Sequence, residues 1–383
     1  MALKYLYVPS GYKAGTAYGV LPNVANADFA FVRGSAATRV NADGLLESEV
    51  TNVPRLDYTD GSCPTLLTEP ESKNLVEYSE DFSQWEARNL ATVTLEASAT
   101  NPKGELGAYI VSNADGDGIS DNIVNLIINT SASTTYTESI YVKSLGATEM
   151  DIRMRDNSTG SSPLFNHQFT TSGWERIYLT STTGSSTTSI RFVLGGSDGD
   201  FLVWGAQLEG QTYATSYIYN NGTTLGVTRS ADTGVISGDL SSYINSSEGV
   251  LEIKAKALFN GGSDVRIGIS DNTADNRLSL VWGTGTSSMS IVMIANGSNV
   301  FDGGTVGFKN FTHDQTQMAT FKIKWKSGDI QVKVNDTIVL TQADTFTMVG
   351  LDQVSLGKGY GGSGNSFEGN VQYIKVYDSA TDF

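Results

Sequence analysis

Short alternations of apolar and polar residues recur along this chain roughly every 8–15 residues, separated by clusters of Gly, Ser, Asn and Asp. The sharpest is Thr320-Phe-Lys-Ile-Lys-Trp-Lys, a Ser327-Gly-Asp turn, then Ile330-Gln-Val-Lys-Val-Asn. Phe321, Ile323 and Trp325 alternate with Lys322, Lys324 and Lys326, and Ile330, Val332 and Val334 with Gln331, Lys333 and Asn335. A period of two puts one set on a buried face and the lysines in water, which predicts a hairpin. Ile140/Val142, Met150/Ile152/Met154 and Ile190/Phe192/Leu194 repeat the pattern. A helical period is almost nowhere sustained. The fold class expected is all-β, with antiparallel sandwiches.

Composition divides the chain into segments. Residues 1–74 hold five of the seven prolines and little alternation, so they read as an extended segment that needs neighbouring chains for its packing. Residues 75–220 and 248–383 each carry their own alternating strands, and 221–247 reads as a linker. No repeat relates the two strand-rich stretches, which argues against a solenoid.

Charge and residue counts narrow the chemistry. A net charge of −16 repels phosphate backbones, so a nucleic-acid partner is disfavoured. One cysteine, Cys63, forms no internal disulfide, and His167 and His313 lie too far apart in sequence to suggest a triad or a His-rich metal site. No apolar run approaches the ~18 residues of a membrane-spanning helix, and the strand-like start Met1-Ala-Leu-Lys-Tyr is not expected to act as an export signal. Charged residues make up only 17 % while Gly, Ser, Thr and Asn are abundant, so the strands expose hydroxyls and amides more than charges.

Particular runs resemble a known group. Asp28-Phe-Ala-Phe-Val-Arg-Gly-Ser through Asp43-Gly-Leu-Leu-Glu47, then Val53-Pro-Arg-Leu-Asp-Tyr58, Cys63-Pro-Thr-Leu-Leu-Thr-Glu-Pro70 and Asn74-Leu-Val-Glu-Tyr-Ser-Glu-Asp-Phe-Ser-Gln-Trp85, resemble the N-terminal region of bacteriophage and prophage structural proteins. Thr135-Tyr-Thr-Glu-Ser-Ile-Tyr-Val-Lys143, Gly173-Trp-Glu-Arg-Ile177, Trp204-Gly-Ala-Gln-Leu-Glu209 and Ala214-Thr-Ser-Tyr-Ile218 resemble a carbohydrate-binding-module-like jelly roll. Phe367-Glu-Gly-Asn-Val-Gln-Tyr-Ile-Lys-Val-Tyr377 is similar to the last strand of a laminin-G or concanavalin-A-like sandwich. The resemblance implies a virion-surface fibre, spike or adhesin subunit of tail or capsid, made in the host cytoplasm and usually trimeric. On this reading residues 1–74 attach it to other virion proteins, and its ligand is a host surface polysaccharide or lipopolysaccharide. A decoration or connector protein that binds only virion proteins, and a polysaccharide depolymerase, are the competing readings.

Site candidates come from the residues themselves. The polar sides of three strands carry Tyr141 and Lys143, Arg153 and Arg155, and Arg191. On a single sheet these would converge into a basic surface for acidic glycan, since guanidinium forks pair with carboxylate or phosphate. The plainer alternative is solvent-face arginines paired with Asp151, Glu138 or a neighbouring subunit. Tyr360, in a glycine-rich loop, is a second candidate platform for a sugar ring. Asn113, Asp115, Asp117 and Asp121 begin a calcium-loop spacing, but Val124 stands where a bidentate Glu would close it, leaving Ca2+ and an ordinary acidic turn as the two readings. No other cofactor is expected. Trp204, Trp282 and Trp325 read as core. Glu248 and Glu252, four residues apart on one strand, would be separated by roughly 13 Å, beyond the about 5–10 Å of a glycosidase pair. Without another catalytic motif, the expectation is a protein that is not an enzyme.

Overall fold

The computed structural model describes residues 1–88, 91–112, 122–195, 199–261, 264–283, 285–301, 307–357, 366–381 and 383. Nearly all regular elements of the described chain are antiparallel strands, and the chain divides into two compact units. One comprises Met1–Gly44, Ser48–Pro70 and Ser230–Phe383, the other Leu45–Glu47 and Glu71–Arg229.

The second unit is a sandwich of two five-stranded sheets. Its strands are β1 (Glu86–Ala87), β2 (Thr92–Thr100), β3 (Leu106–Ser112), β4 (Asn122–Asn129) and β5 (Thr135–Ser144), then β6 (Glu149–Asp156), β7 (Leu164–Gln168), β8 (Glu175–Thr182), β9 (Ser189–Gly195) and β10 (Phe201–Glu209). One sheet runs β1-β4-β9-β6-β7 and the other β2-β3-β10-β5-β8. The period-two sets meet between them. Ile140, Val142, Met150, Ile152, Met154, Ile190, Phe192 and Leu194 form the core with Phe82 and Trp85. Chain order places β7 and β8 at corresponding edges of the two sheets, joined by a short connection.

One core position breaks the apolar rule. Glu138 shares its face of β5 with Tyr136, Ile140 and Val142, and its register partners are Leu179 and Leu208. It is fully buried, and neither carboxyl oxygen has a hydrogen-bond partner. Burial pushes its pKa well above the usual carboxylate range.

The first unit packs an eight-stranded sheet on a six-stranded one. The expected hairpin is present: Phe321 faces Val334, Ile323 faces Val332, and Gly328 takes φ +78 in the turn. Phe321, Ile323, Trp325, Ile330 and Val332 are fully buried, as is Trp282. Lys324 differs from expectation. It is only 7 % exposed, and its ammonium reaches Asp329 at 2.8 Å.

The N-terminal segment departs further from the reading of the sequence. Residues 1–70, apart from 45–47, form no separate attachment segment but are part of this sandwich. Leu3–Tyr7 and Thr65–Thr68 lie end to end along the same side of the last strand, Gly369–Tyr377, whose other side pairs with Glu248–Ala257. They cover an edge that would otherwise expose a row of unpaired amides. Tyr5, Tyr7, Phe29, Phe31 and Leu66 fill its core beside Leu251, Ile253, Val371 and Ile374. The prolines and scarce alternation read as a segment that relies on a packing partner, and here that partner is the chain's own C-terminal half. The expected linker 221–247 is likewise structural. Val227–Arg229 pairs with Ser72–Asn74 in one unit, and Val235, Leu240 and Ile244 are core of the other.

A buried ionic cluster fixes this arrangement. Asp232 accepts from Arg33 Nη1 at 3.1 Å, from Arg55 Nη2 and from the Glu69 amide at 2.9 Å, and Arg55 also reaches Glu69 at 2.5 Å. Burial opposes the Arg55 charge, and Asp232 and Glu69 more than restore it, so its pKa is raised above the ordinary value. Carbonyls of Ser35 and Val50 take further donors of Arg33, and that of Thr38 one of Arg55, at 2.8–3.0 Å.

Two outcomes follow. Expressed alone, residues 248–383 lack the five N-terminal core side chains and the covered edge, so calorimetry should find no cooperative melt, whereas residues 71–229 should melt cooperatively. A cooperative melt of 248–383 would show the N-terminal packing to be dispensable. The second concerns Glu138. Because its folded pKa is raised, its cost is absent below the unfolded carboxyl value of about 4.3 and grows as pH rises toward the folded value. The melting temperature of this unit should therefore fall from acidic to neutral pH. Glu138→Met should flatten that slope and raise the neutral-pH value, and an unchanged slope would refute the assignment.

Candidate functional site

The expected convergence of Tyr141, Lys143, Arg153, Arg155 and Arg191 is corrected by the topology. Tyr141 and Lys143 lie on β5 in one sheet, and the arginines lie on β6 and β9 in the other. All five face outward, as the alternation requires, but outward from opposite sheets. Tyr360 and the loop carrying Asn113, Asp115, Asp117 and Asp121 lie outside the described residues.

Tyr141 belongs to a closed surface. The register between β5 and β10 slips between Ser139 and Tyr141, leaving Gly205 as an extra residue at φ +66. Such a bulge reverses facing along the strand. Phe201 and Val203 before it and Ala206 and Leu208 after it face the core, while Trp204 lies on the outer side, its ring tilted 50° against Tyr217 at 4.8 Å and 5.7 Å from Tyr141. Trp204 is thus buried, as expected, but outside the sandwich core.

The chain beyond β10 folds over this surface. Glu209 accepts from the Ser72 hydroxyl at 2.6 Å and the Thr215 amide at 3.0 Å, and Gln207 accepts the Ile218 amide at 2.6 Å. Asn74 donates to the carbonyls of Ala206 and Ile218. Arg176 donates to the Thr215 carbonyl at 2.7 Å and lies 5.4 Å from the Tyr141 ring centroid. Tyr217 donates to Glu80 at 3.0 Å, its pKa raised by burial and then by that carboxylate. The runs Trp204–Glu209 and Ala214–Ile218 therefore form a structural clasp. They set Arg176 over the Tyr141 ring and bring Trp204 and Tyr217 edge-on to it, leaving the residue half-buried.

The open place is the edge. Between β7 and β8 lies a cleft of about 430 Å³ lined by Phe165, His167, Glu175, Arg176, Tyr178 and Thr180, with Ile177 and Leu179 on its floor. On β7, Phe165 and His167 are the register partners of core residues Ile152 and Met150, so they turn inward at an unpaired edge. Their rings stack at 6.3 Å and 27°. On β8, Glu175 shares the side of the inward residues, while Arg176 and Tyr178 stand on the other side of the strand. His167 Nε2 lies 3.6 Å from Glu175 Oε1, too long for a hydrogen bond, and both atoms lack a hydrogen-bond partner. Phe165 is 39 % exposed and Tyr178 57 %, beside Leu164 at 52 %. The cleft thus sets the exposed Phe165 and Tyr178 rings beside the Glu175 carboxylate, while the Arg176 guanidinium on its wall is held by the Thr215 carbonyl and the Ser139 hydroxyl at 2.7 and 3.0 Å. That combination stacks on the C–H face of a pyranose and bonds its hydroxyls.

None of these residues stood out in the sequence as ligand-binding. The available signal was the change along Glu175–Thr180, where Arg176, Tyr178 and Thr180 alternate with Ile177 and Leu179. His167 drew attention only for its distance from His313.

No family model and no curated protein matches the chain. Solved structures similar to it include the N-terminal CBM22-1–CBM22-2 tandem domain of Paenibacillus barcinonensis Xyn10C, at 12 % identity over 82 % of this chain and 99 % of that one, TM-score 0.28. Mouse laminin α1 domains LG4-5 match at 10 % identity over 68 % and 91 %, TM-score 0.25. The enzymatically active domain of bacteriophage CBA120 tailspike protein 4 matches at 13 % identity over 35 % of this chain, TM-score 0.25, and only 21 % of that domain is covered. Likenesses at these scores assign neither ligand nor partner, so the chemistry of the cleft stands on its own residues.

Exposure separates site from scaffold experimentally. Tyr178→Ala should change stability by no more than about 0.5 kcal/mol, the usual range for an exposed position. Trp204→Ala should cost about 3–5 kcal/mol, because it empties a buried stack. Denaturant midpoints measure both, and a large loss at Tyr178 would make the cleft wall structural.

Proposed function

We propose that this protein is a non-enzymatic surface subunit of a phage virion, or of a phage-derived particle, that binds host glycan through the β7/β8 edge cleft. The observation that carries the binding is the exposed Phe165 and Tyr178 rings set beside Glu175, Arg176 and Thr180 in one open cleft. The rings supply stacking area, and the polar groups fix the orientation of sugar hydroxyls. In this reading Glu175 accepts hydrogen bonds from the sugar and does not cleave it, while the buried His167 ring backs Phe165. The virion setting, a trimeric assembly and contact with other virion proteins rest on the resemblance of the Asp28–Tyr58 and Asn74–Trp85 runs to phage structural proteins.

The test is a glycan array probed with the full chain and with Phe165→Ala/Tyr178→Ala. Each lost stacking ring is worth about 0.5–1.5 kcal/mol beyond its buried area. The double variant should therefore bind the recognised glycan at least tenfold more weakly while melting like the wild type. Equal binding by the variant would remove the cleft from the site. Reducing ends released from a bound polysaccharide would replace binding by hydrolysis. Gold-labelled antibody on intact particles tests the virion location.

A further inference from the structure

A second feature of the same unit lies outside the cleft. On the outer face of the β1-β4-β9-β6-β7 sheet, Arg155 of β6 and Arg191 of β9 stand directly opposite each other. Side chains so paired have Cβ atoms about 4.5–5.5 Å apart, and like charges there repel.

One row away the same problem is solved internally. Arg153 donates from Nε and Nη2 to Asp151 at 2.9 and 2.7 Å. Arg155 and Arg191 have no such counter-ion: among the described residues neither side chain makes a hydrogen bond or ion pair, and Arg191 Nε is buried without an acceptor. Glu86 feels the Arg191 charge, but its bond goes to Arg88 at 2.9 Å. On the far side of Arg191 the row ends in Ile127, which is 53 % exposed. Two unneutralised guanidiniums are thus held together in a chain whose net charge is −16.

We propose that Arg155 and Arg191 form a fork for an oxyanion, the carboxylate or phosphate group of an acidic polysaccharide, with Ile127 packing against the polymer. Guanidinium pairs hold such groups bidentately, and the anion removes the repulsion that the sheet leaves standing. The acidic surface elsewhere disfavours long polyphosphate chains, so a sparsely charged glycan is the better fit. This deepens the glycan reading by naming the ligand as acidic, and rests on it.

Calorimetric titration of the full chain with polygalacturonate and with phosphomannan tests it. Wild type should bind at least one polymer, with affinity falling as salt rises, and the polymer preferred distinguishes carboxylate from phosphate. Arg155→Gln/Arg191→Gln should lose at least tenfold in affinity, and Arg155→Lys/Arg191→Lys should recover part of it. In buffer without polyvalent anions the Gln variant should melt no lower than wild type, because removing the pair relieves repulsion. Phe165→Ala/Tyr178→Ala should keep polyanion affinity within twofold, so failure of the cleft and failure of the fork are separable. The fork is overturned if wild type binds neither polymer, if the Gln variant binds as wild type does, or if it melts lower. Equal affinity for a DNA oligonucleotide would overturn the glycan source.

Discussion

Asp232 between Arg33 and Arg55 is the contact on which the first unit depends. All three side chains are shut off from water, and they come from stretches some 180–200 positions apart in sequence. Removing one member of such a cluster leaves an uncompensated buried charge, at about 3–5 kcal/mol. The cluster therefore ties the N-terminal stretch to residues just after 229, and with it the strands that cover the edge of Gly369–Tyr377. A segment with so little alternation of its own gains order because charge pairing and aromatic burial act on it together. Tyr5, Tyr7, Phe29 and Phe31 bring the apolar part.

The other unit shows how one bulge decides which surface is closed. Gly205 adds a residue to β10, Trp204 turns outward, and the chain from 211 to 221 folds back across that side, held by Gln207, Glu209 and Asn74. What would have been an open aromatic sheet face becomes a packed layer. The opening moves to the sandwich edge, where β7 and β8 leave the inward-facing Phe165 ring exposed. A ligand site at an edge draws side chains from both sheets, which suits a ligand needing a stacking face and hydrogen bonds at once.

Polar groups in this unit follow the same logic of neighbours. Asp151 satisfies Arg153 from two residues away on its own strand. Arg155 and Arg191 are made neighbours only by strand pairing, and nothing along either strand answers their charge. Glu138 is the converse, a carboxyl on the apolar side of its strand, its pKa pushed up by burial.

Alternation in the sequence determined which side of each strand is buried, and it did so correctly for β5, β6, β9 and the 319–334 hairpin, because period two is a local property of extended backbone. It marked residues 1–74 as poor in alternation and rich in proline, since both are equally local. It could not determine which strands share a sheet, because pairing joins residues far apart in the chain. That is why Lys143 and Arg153, ten positions apart, face opposite ways out of the sandwich. Nor did it mark the reversal at Trp204, because a bulge is a property of two strands in register. The cleft was legible only in part: Tyr178 and Arg176 showed as outward residues, while Phe165 and His167 keep the inward phase of buried ones. Only the tertiary structure, by leaving β7 and β8 as the last strands of their sheets, uncovers Phe165, with His167 still buried beside it.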